Sequence, residues 1–319
     1  MLEENGKGSL RMDSDIALTM ESQPALAALL TRRFAVIRQA VRQEKPLVHC
    51  LTHGITQNDS ANGILAVGGR PNMASHPDEV EEAVRGAAAV TVNLGNITAE
   101  RLAAMDRAGA AACRSGIPLL LDAVGVGFST LRRDFARHFI TQYKPVVVKG
   151  NASELRALCG LSSHGEGVDV AAADAVVTLA AARTEAASLQ PFANQWNTVL
   201  LETGAVDVVL GPAGRPSLEE ELLAAGPVFV GNGTPTLARL TGTGCLLGAL
   251  AGVWLAVSSP WEAALLAAVT LGLAGEQAEE AVWQDRTKPV PMGSFHVALL
   301  DALSTLDPAA SAASLRVTL

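Results

Sequence analysis

The chain has 319 residues, enough for one large α/β domain or two small ones. Hydrophobic residues make up 49%, charged residues 18% and aromatics only 4%, so a buried core must be aliphatic and alanine-rich, as suits helices packed on an aliphatic sheet. A net charge of −8 and a pI near 5.3 argue against nucleic acid as a partner, and they require any phosphate site to be built locally from amides, a metal or a few basic residues.

From the start of the chain, Met1 to about Ser22 is polar and lacks the apolar core of a secretory signal. Residues 1–30 are expected to form a disordered tail. Short aliphatic runs then read as buried strands: Leu47–Leu51, Ala89–Leu94, Pro118–Asp122, Pro145–Lys149, Thr198–Leu201 and Val206–Leu210. Helical stretches lie between most of them. Pro77–Ala88 has proline at its start and Glu79, Glu81 and Glu82 in its first turns, where carboxylates face the positive end of the dipole. Thr98–Arg114 opens on a capping threonine, and Asn151-Ala152-Ser153-Glu154 reads as a capping box.

Further on, Ser162–Asn197 is long for one helix and a loop and is expected to be an enlarged surface segment. From Thr243 to about Thr305 the pattern is helix after helix. The apolar stretches 245–257 and 261–274 are split by Ser258-Ser259-Pro260, and the second carries Glu262, so they read as buried helices and not membrane spans. Residues 31–307 are expected to form one domain, with a frayed tail at 308–319. Strands alternating with helices predict parallel β-α-β units and a sheet covered on both faces. Ligands in such sheets bind at the C-terminal ends of the strands. The four cysteines Cys50, Cys113, Cys159 and Cys245 form no CxxC pair; this argues against zinc and a disulfide framework and for a reducing cytoplasm.

Three segments could carry chemistry. Thr241-Gly242-Thr243-Gly244-Cys245 directly precedes an apolar helix, and its first-turn amides offer an anion site. The same amides and dipole are expected to lower the pKa of Cys245. The bland reading is a glycine-rich turn with a core cysteine. Gly248 and Gly252 follow at helical spacing, which predicts a helix face packed closely on another backbone. Asp122 and Glu154, near the ends of neighbouring strands, could hold Mg²⁺ through waters against nucleotide phosphates, with Lys149 between them in sequence. Their alternatives are capping roles. His49 and His53 are four residues apart across a strand end, where metal ligation is not expected. Met73 could meet a ligand or simply fill core.

The segments His-Cys-Leu-Thr (49–52), Pro-Asn-Met-Ala (71–74), Asn-Leu-Gly (93–95), Leu-Asp-Ala-Val-Gly-Val-Gly (121–127), Lys-Gly-Asn-Ala-Ser-Glu (149–154), Glu-Thr-Gly-Ala-Val-Asp (202–207) and Thr-Gly-Thr-Gly-Cys (241–245) occur in the order found in hydroxyethylthiazole kinases. The chain resembles that family from about Pro46 to Leu306. The resemblance implies an α/β, ribokinase-like fold with a largely parallel sheet flanked by helices on both faces. It implies ATP as co-substrate, Mg²⁺, a small thiazole alcohol as acceptor and a homotrimer with sites at subunit interfaces. By position, Cys245 matches the catalytic cysteine, Met73 and Gly242 match thiazole positions, Lys149 and Thr203 match nucleotide-contact positions, and Asp122 and Glu154 match the acids near the metal; His53 is expected near the substrate, Ile55 against the thiazole by burial, and the amides of Thr243 and Gly244 against the nucleotide's transferring phosphoryl group. The chain departs from the pattern at Lys149 (usually Arg), at His53 (usually Asn) and at Ala123 (usually Pro). Other readings are a kinase of another small alcohol such as a hydroxymethylpyrimidine, a cysteine-nucleophile hydrolase lacking an assignable histidine, and a nucleotide-binding regulator without turnover.

Overall fold

Strands buried on both faces need unbroken apolar runs, and the runs that supply them here form the middle of the sheet. The computed structural model describes residues 23–162, 178–213 and 226–319. Leu47–Leu51 (β1), Ala89–Asn93 (β3), Leu119–Asp122 (β4), Val147–Asn151 (β5) and Val199–Thr203 (β6) lie in parallel, with Arg70–Asn72 (β2) beside β1. Beyond β6 the direction alternates through Asp207–Leu210 (β7), Val228–Val230 (β8) and Val317–Thr318 (β9), giving the order β2-β1-β3-β4-β5-β6-β7-β8-β9.

Helices cover both faces. One layer holds Pro24–Glu44 (α1), Gln57–Val67 (α2), and later Thr243–Leu255 (α8), Pro260–Val282 (α9) and Met292–Thr305 (α10). Its core joins Val48, Cys50, Leu120 and Val147 of the sheet to Leu250, Trp254 and Leu265. The opposite layer holds Val80–Arg85 (α3), Ala99–Ser115 (α4), Thr130–Tyr143 (α5), Ala152–Cys159 (α6) and Leu179–Trp196 (α7). Its core joins Val90, Val92, Leu121 and Val148 to Met105, Phe139 and Leu155. Among the described residues no helix is long and apolar enough to cross a membrane.

The two tails need correction. Within the expected 1–30 tail, the chain is helical from Pro24, and Leu26, Leu29, Leu30, Phe34 and Ile37 bury one stripe of α1. Residues 1–22 lie outside the described residues. At the other end, the expected fraying over 308–319 gives way to β9, whose Val317 and Thr318 pair with Val230 and Phe229. Arg316 fastens this strand by donating to the Glu276 carboxylate and to the Gly231 carbonyl. The Gln23 amide donates to the Val317 carbonyl at 3.0 Å, joining the start of α1 to β9. Of the expected enlarged segment Ser162–Asn197, α7 accounts for the second half, and residues 163–177 lie outside the described residues.

Candidate active site

Parallel register sets the site. Asn93, Asp122 and Lys149 are direct neighbours across β3, β4 and β5, so their side chains leave the same face of the sheet at its C-terminal end. Above this row lies the N-terminus of α8, whose Gly244, Gly248 and Gly252 follow one another at helical spacing. A Cβ on Gly244 would stand 3.2 Å from Lys149 Nζ, one on Gly248 3.2 Å from Asp122 Oδ2, and one on Gly252 only 2.4 Å from Thr91 Cγ2. The glycine face predicted from spacing therefore exists, but it packs on side chains of the sheet and not on another backbone.

Lys149 Nζ donates to Asp122 Oδ1 at 3.0 Å, and Asn93 Nδ2 donates to Asp122 Oδ2 at 2.8 Å. The two charged side chains are only 4% and 2% exposed. Burial opposes the Asp122 anion, while Lys149 and Asn93 pull in its favour. Burial also opposes the Lys149 cation, but Asp122, Glu154 and Cys245 together hold it above its ordinary pKa, so it stays charged. Asp122 is thus an ion-pair partner and not a turn cap.

Glu154 does what its sequence context announces. Its Oε2 accepts the Asn151 amide at 2.8 Å, while Asn151 Oδ1 accepts the Glu154 amide, a complete capping box. Its other oxygen reaches the loop after β4 and accepts the Gly125 amide at 2.7 Å. Burial pushes this carboxyl up to about 7 against the pull of Lys149 and both amides. Gly125 has φ +76, and a Cβ there would strike Arg132 and Phe128. Glu154→Ala is expected to cost about 1–2 kcal/mol through the lost cap, read as a lower thermal midpoint, with faster amide exchange at residues 123–127.

The helix end itself is built by Gly242, with φ +92. The first intrahelical bond runs from the Leu246 amide to the Gly242 carbonyl, so the amides of Thr243, Gly244 and Cys245 have no intrahelical acceptor, the arrangement that suits an anion. Thr243 turns its hydroxyl to the Leu237 carbonyl at 3.0 Å. Thr203 is half-buried at the end of β6, with its hydroxyl 3.5 Å from the Gly150 carbonyl.

Cys245 is not the acidified thiol expected from its helix position. Burial first, and then the Asp122 carboxylate, raise its pKa; Lys149, Asn93 and Thr56 pull the other way without prevailing. The sequence offered only the helix amides as neighbours, whereas the dominant effects are tertiary. His53 lies over Cys245, with Nε2 3.6 Å from Sγ. Burial and the cations Arg101 and Arg132 lower the His53 pKa, so the imidazole is neutral. His49 belongs elsewhere, its Nε2 bonded to the Ala74 carbonyl at 2.9 Å.

On the substrate side the structure brings His53 and Gly242 to the Cys245 end of the site. Met73 is half-buried against the core, and Ile55 is 62% exposed, so neither closes a pocket within one chain. Among the described residues, no three His, Cys, Asp or Glu side chains form a cation cage. The Asp122 and Glu154 oxygens keep second lone pairs beyond their present partners. They fit an ion that arrives with phosphates and is held through its own waters.

Sequence reasoning missed Asn93 and Arg101. Asn93 ends β3 and so falls under the strand-end rule that singled out Asp122. Arg101, from α4, donates to the Thr52 and Asn93 carbonyls and ties the ends of β1 and β3 together; no local signal marks it.

The profile of the hydroxyethylthiazole kinase family matches residues 38–309. A hydroxyethylthiazole kinase of Clostridium botulinum (strain Eklund 17B) is 36% identical over 270 residues, covering 84% of this chain and 90% of the relative. A solved hydroxyethylthiazole kinase structure from Pyrococcus horikoshii OT3 superposes with a TM-score of 0.72 at 32% identity, covering 89% of this chain and 97% of the other. The ADP/ATP-dependent NAD(P)H-hydrate dehydratase of Bacillus subtilis, co-crystallized with ATP/Mg²⁺, shares the fold alone, with a TM-score of 0.50 at 14% identity over 82% of this chain and 90% of the other.

Proposed function

Because the chain belongs to the hydroxyethylthiazole kinase family, with its ribokinase-like fold, we propose how the cluster at the N-terminus of α8 carries out that family's reaction. The activity is transfer of the γ-phosphoryl group of ATP to the hydroxyl of 4-methyl-5-(2-hydroxyethyl)thiazole, a step of thiamin biosynthesis. One observation carries the site reading: the buried Asn93–Asp122–Lys149 row lies directly beneath the glycine-led helix end that presents Cys245.

Phosphoryl transfer depends on positioning and charge stabilisation more than on covalent chemistry. The amides of Thr243, Gly244 and Cys245 receive the transferring group, and Lys149 supplies a fixed positive charge beside them. Thr203 and Gly244 border the nucleotide. Asp122 and Glu154 would be the residues to hold Mg²⁺, which when bound would supply charge to neutralise the phosphates. Cys245 and His53 meet the substrate hydroxyl, with Gly242 beside it. Met73 and Ile55 offer apolar surface to the thiazole.

The same reading includes a homotrimer that completes the thiazole side. Its support is the exposure of Ile55, Leu65 and Val297, large apolar residues of the segment before α2, of α2 and of α10. A cytoplasmic location is part of the proposal and accords with four free thiols.

The test is ADP release with ATP, Mg²⁺ and the thiazole alcohol, with the phosphate ester identified by mass spectrometry. Saturable thiazole-dependent turnover supports the function. ATP binding without turnover on this alcohol would move the reading to another alcohol or to a regulator. Asp122→Asn is expected to raise the Mg²⁺ concentration for half-maximal rate by about 10–100-fold; an unaltered Mg²⁺ dependence would remove Asp122 from the metal's surroundings.

A further inference from the structure

We propose that His53 is the terminal proton acceptor of the reaction: it takes the proton of the Cys245 thiol as the thiol takes that of the substrate hydroxyl. The inference rests on the kinase reading above and adds to it the role of one side chain.

The geometry is specific. Cys245 sits in the first turn of α8 and His53 in the segment between β1 and α2, and their Sγ and Nε2 atoms are 3.6 Å apart. Thr56 Oγ1 lies 3.4 Å from the same nitrogen and 2.9 Å from Thr52 Oγ1. The ring rests on Gly95, where any Cβ would come within 2.2 Å of it, so its place is set from behind as well as in front. His53 is 7% exposed, yet neither ring nitrogen has a strong partner. Nε2 reaches only a thiol and a distant hydroxyl, and Nδ1 is buried without a hydrogen bond. Leaving a buried polar group without a firm partner costs stability.

The charge state fits the role. The ionisable groups facing His53 are Arg101 from α4, Arg132 from α5 and Cys245 from α8; burial first, and then the two arginines, keep the imidazole unprotonated at neutral pH. Burial and Asp122 keep the thiol protonated. The resting pair is therefore a neutral thiol beside a neutral imidazole, and not the thiolate–imidazolium pair that a cysteine nucleophile requires. A neutral thiol cannot accept the hydroxyl proton unless it gives up its own, and His53 is the acceptor within reach.

The step balances as follows. The substrate O–H bond breaks and its oxygen electron pair forms the bond to the γ-phosphorus. The bridging P–O bond breaks, and its pair leaves on ADP. The hydroxyl proton moves to Sγ and the Sγ proton to Nε2, leaving a neutral thiol and an imidazolium that returns its proton to water when the site opens.

The experiment is the pH dependence of kcat and KM for the thiazole alcohol in the wild type, His53→Asn and His53→Ala, from about pH 5 to about pH 9. The wild type is expected to lose rate on an acid limb whose midpoint lies below the ordinary imidazole value of about 6.5. Asparagine keeps a polar group in place but cannot titrate; His53→Asn is expected to lose the limb and about 100-fold in kcat, with KM little changed. His53→Ala leaves a ring-sized space over Gly95, and added imidazole is expected to restore part of its rate. An acid limb retained in His53→Asn, even at reduced kcat, assigns His53 to positioning and overturns the proposal, as does a wild type with no acid limb. A wild type with no thiazole-dependent turnover at any pH overturns the kinase reading itself, which is a separate result.

Discussion

Lys149→Met is expected to destabilise the protein by about 3–5 kcal/mol, because it leaves the Asp122 carboxylate buried without its counter-charge. Asp122 is almost fully enclosed, and its remaining hydrogen-bond donor, Asn93, is neutral. The gain from the ion pair is not the relevant quantity here, since desolvation cancels much of it. What counts is the penalty of stranding one member. For a chain of this size the shift in thermal midpoint should be about 2–4 °C per kcal/mol. Activity should fall as well, by about 100–1,000-fold in kcat/KM for ATP, the usual cost of removing one charge-stabilising group from such a site. A double variant separates the two effects: Asp122→Leu with Lys149→Met removes both charges and should recover most of the stability while staying inactive. A Lys149→Met protein that melts with the wild type would show that the pair is not buried in solution.

Gly252→Leu is expected to be the most damaging single change on the helix that carries the site. Even Gly252→Ala meets opposing effects of unequal size. Alanine favours a helix over glycine by about 1 kcal/mol. The added Cβ would lie 2.4 Å from Thr91 Cγ2 and 3.0 Å from Val48 Cγ1, both on β-branched residues of buried central strands. Such side chains have little rotamer freedom to yield. Overpacking costs typically 1–3 kcal/mol, so it wins, and leucine exceeds alanine. The helix must lift, carrying Gly244 and Cys245 away from Lys149 and His53, so kcat falls along with stability. Gly293→Ala in α10 is the control: nothing lies within 4 Å of its Cβ, and the same propensity term should make it neutral or slightly stabilising. Equal thermal midpoints for Gly252→Ala and Gly293→Ala would refute the close seating of α8.

Periodicity and capping made the middle of the fold legible. The strand runs from Leu47 to Leu210 matched within a few residues, because strands buried on both faces must be apolar throughout. The Asn151–Glu154 box was legible because it is a local hydrogen-bonding device. Helix α1 was hidden by its polar approach and the arginines between its buried positions. Strands β2, β8 and β9, two or three residues long, are too short to show any period. Of the candidate site, Cys245, Asp122 and Lys149 were each singled out from strand ends and helix starts. Their arrangement was not: Cys245 and His53 are 192 residues apart, and no spacing rule connects them. The sign of the Cys245 shift was missed for the same reason, since burial and Asp122 reach the thiol only through tertiary structure.

The bond from the Gln23 amide to the Val317 carbonyl has a topological consequence. Start and finish of the described chain meet on the antiparallel edge of the sheet, at the opposite side from β1 and β2. The fold is therefore a ring in space though a line in covalent bonds. A short flexible linker between residues 23 and 319 would add little closure entropy, and the chain could be reopened at a surface connection without moving the Asn93–Asp122–Lys149 row. The order in which the strands are written is thus separable from the order in which they lie, and the chemistry depends only on the second.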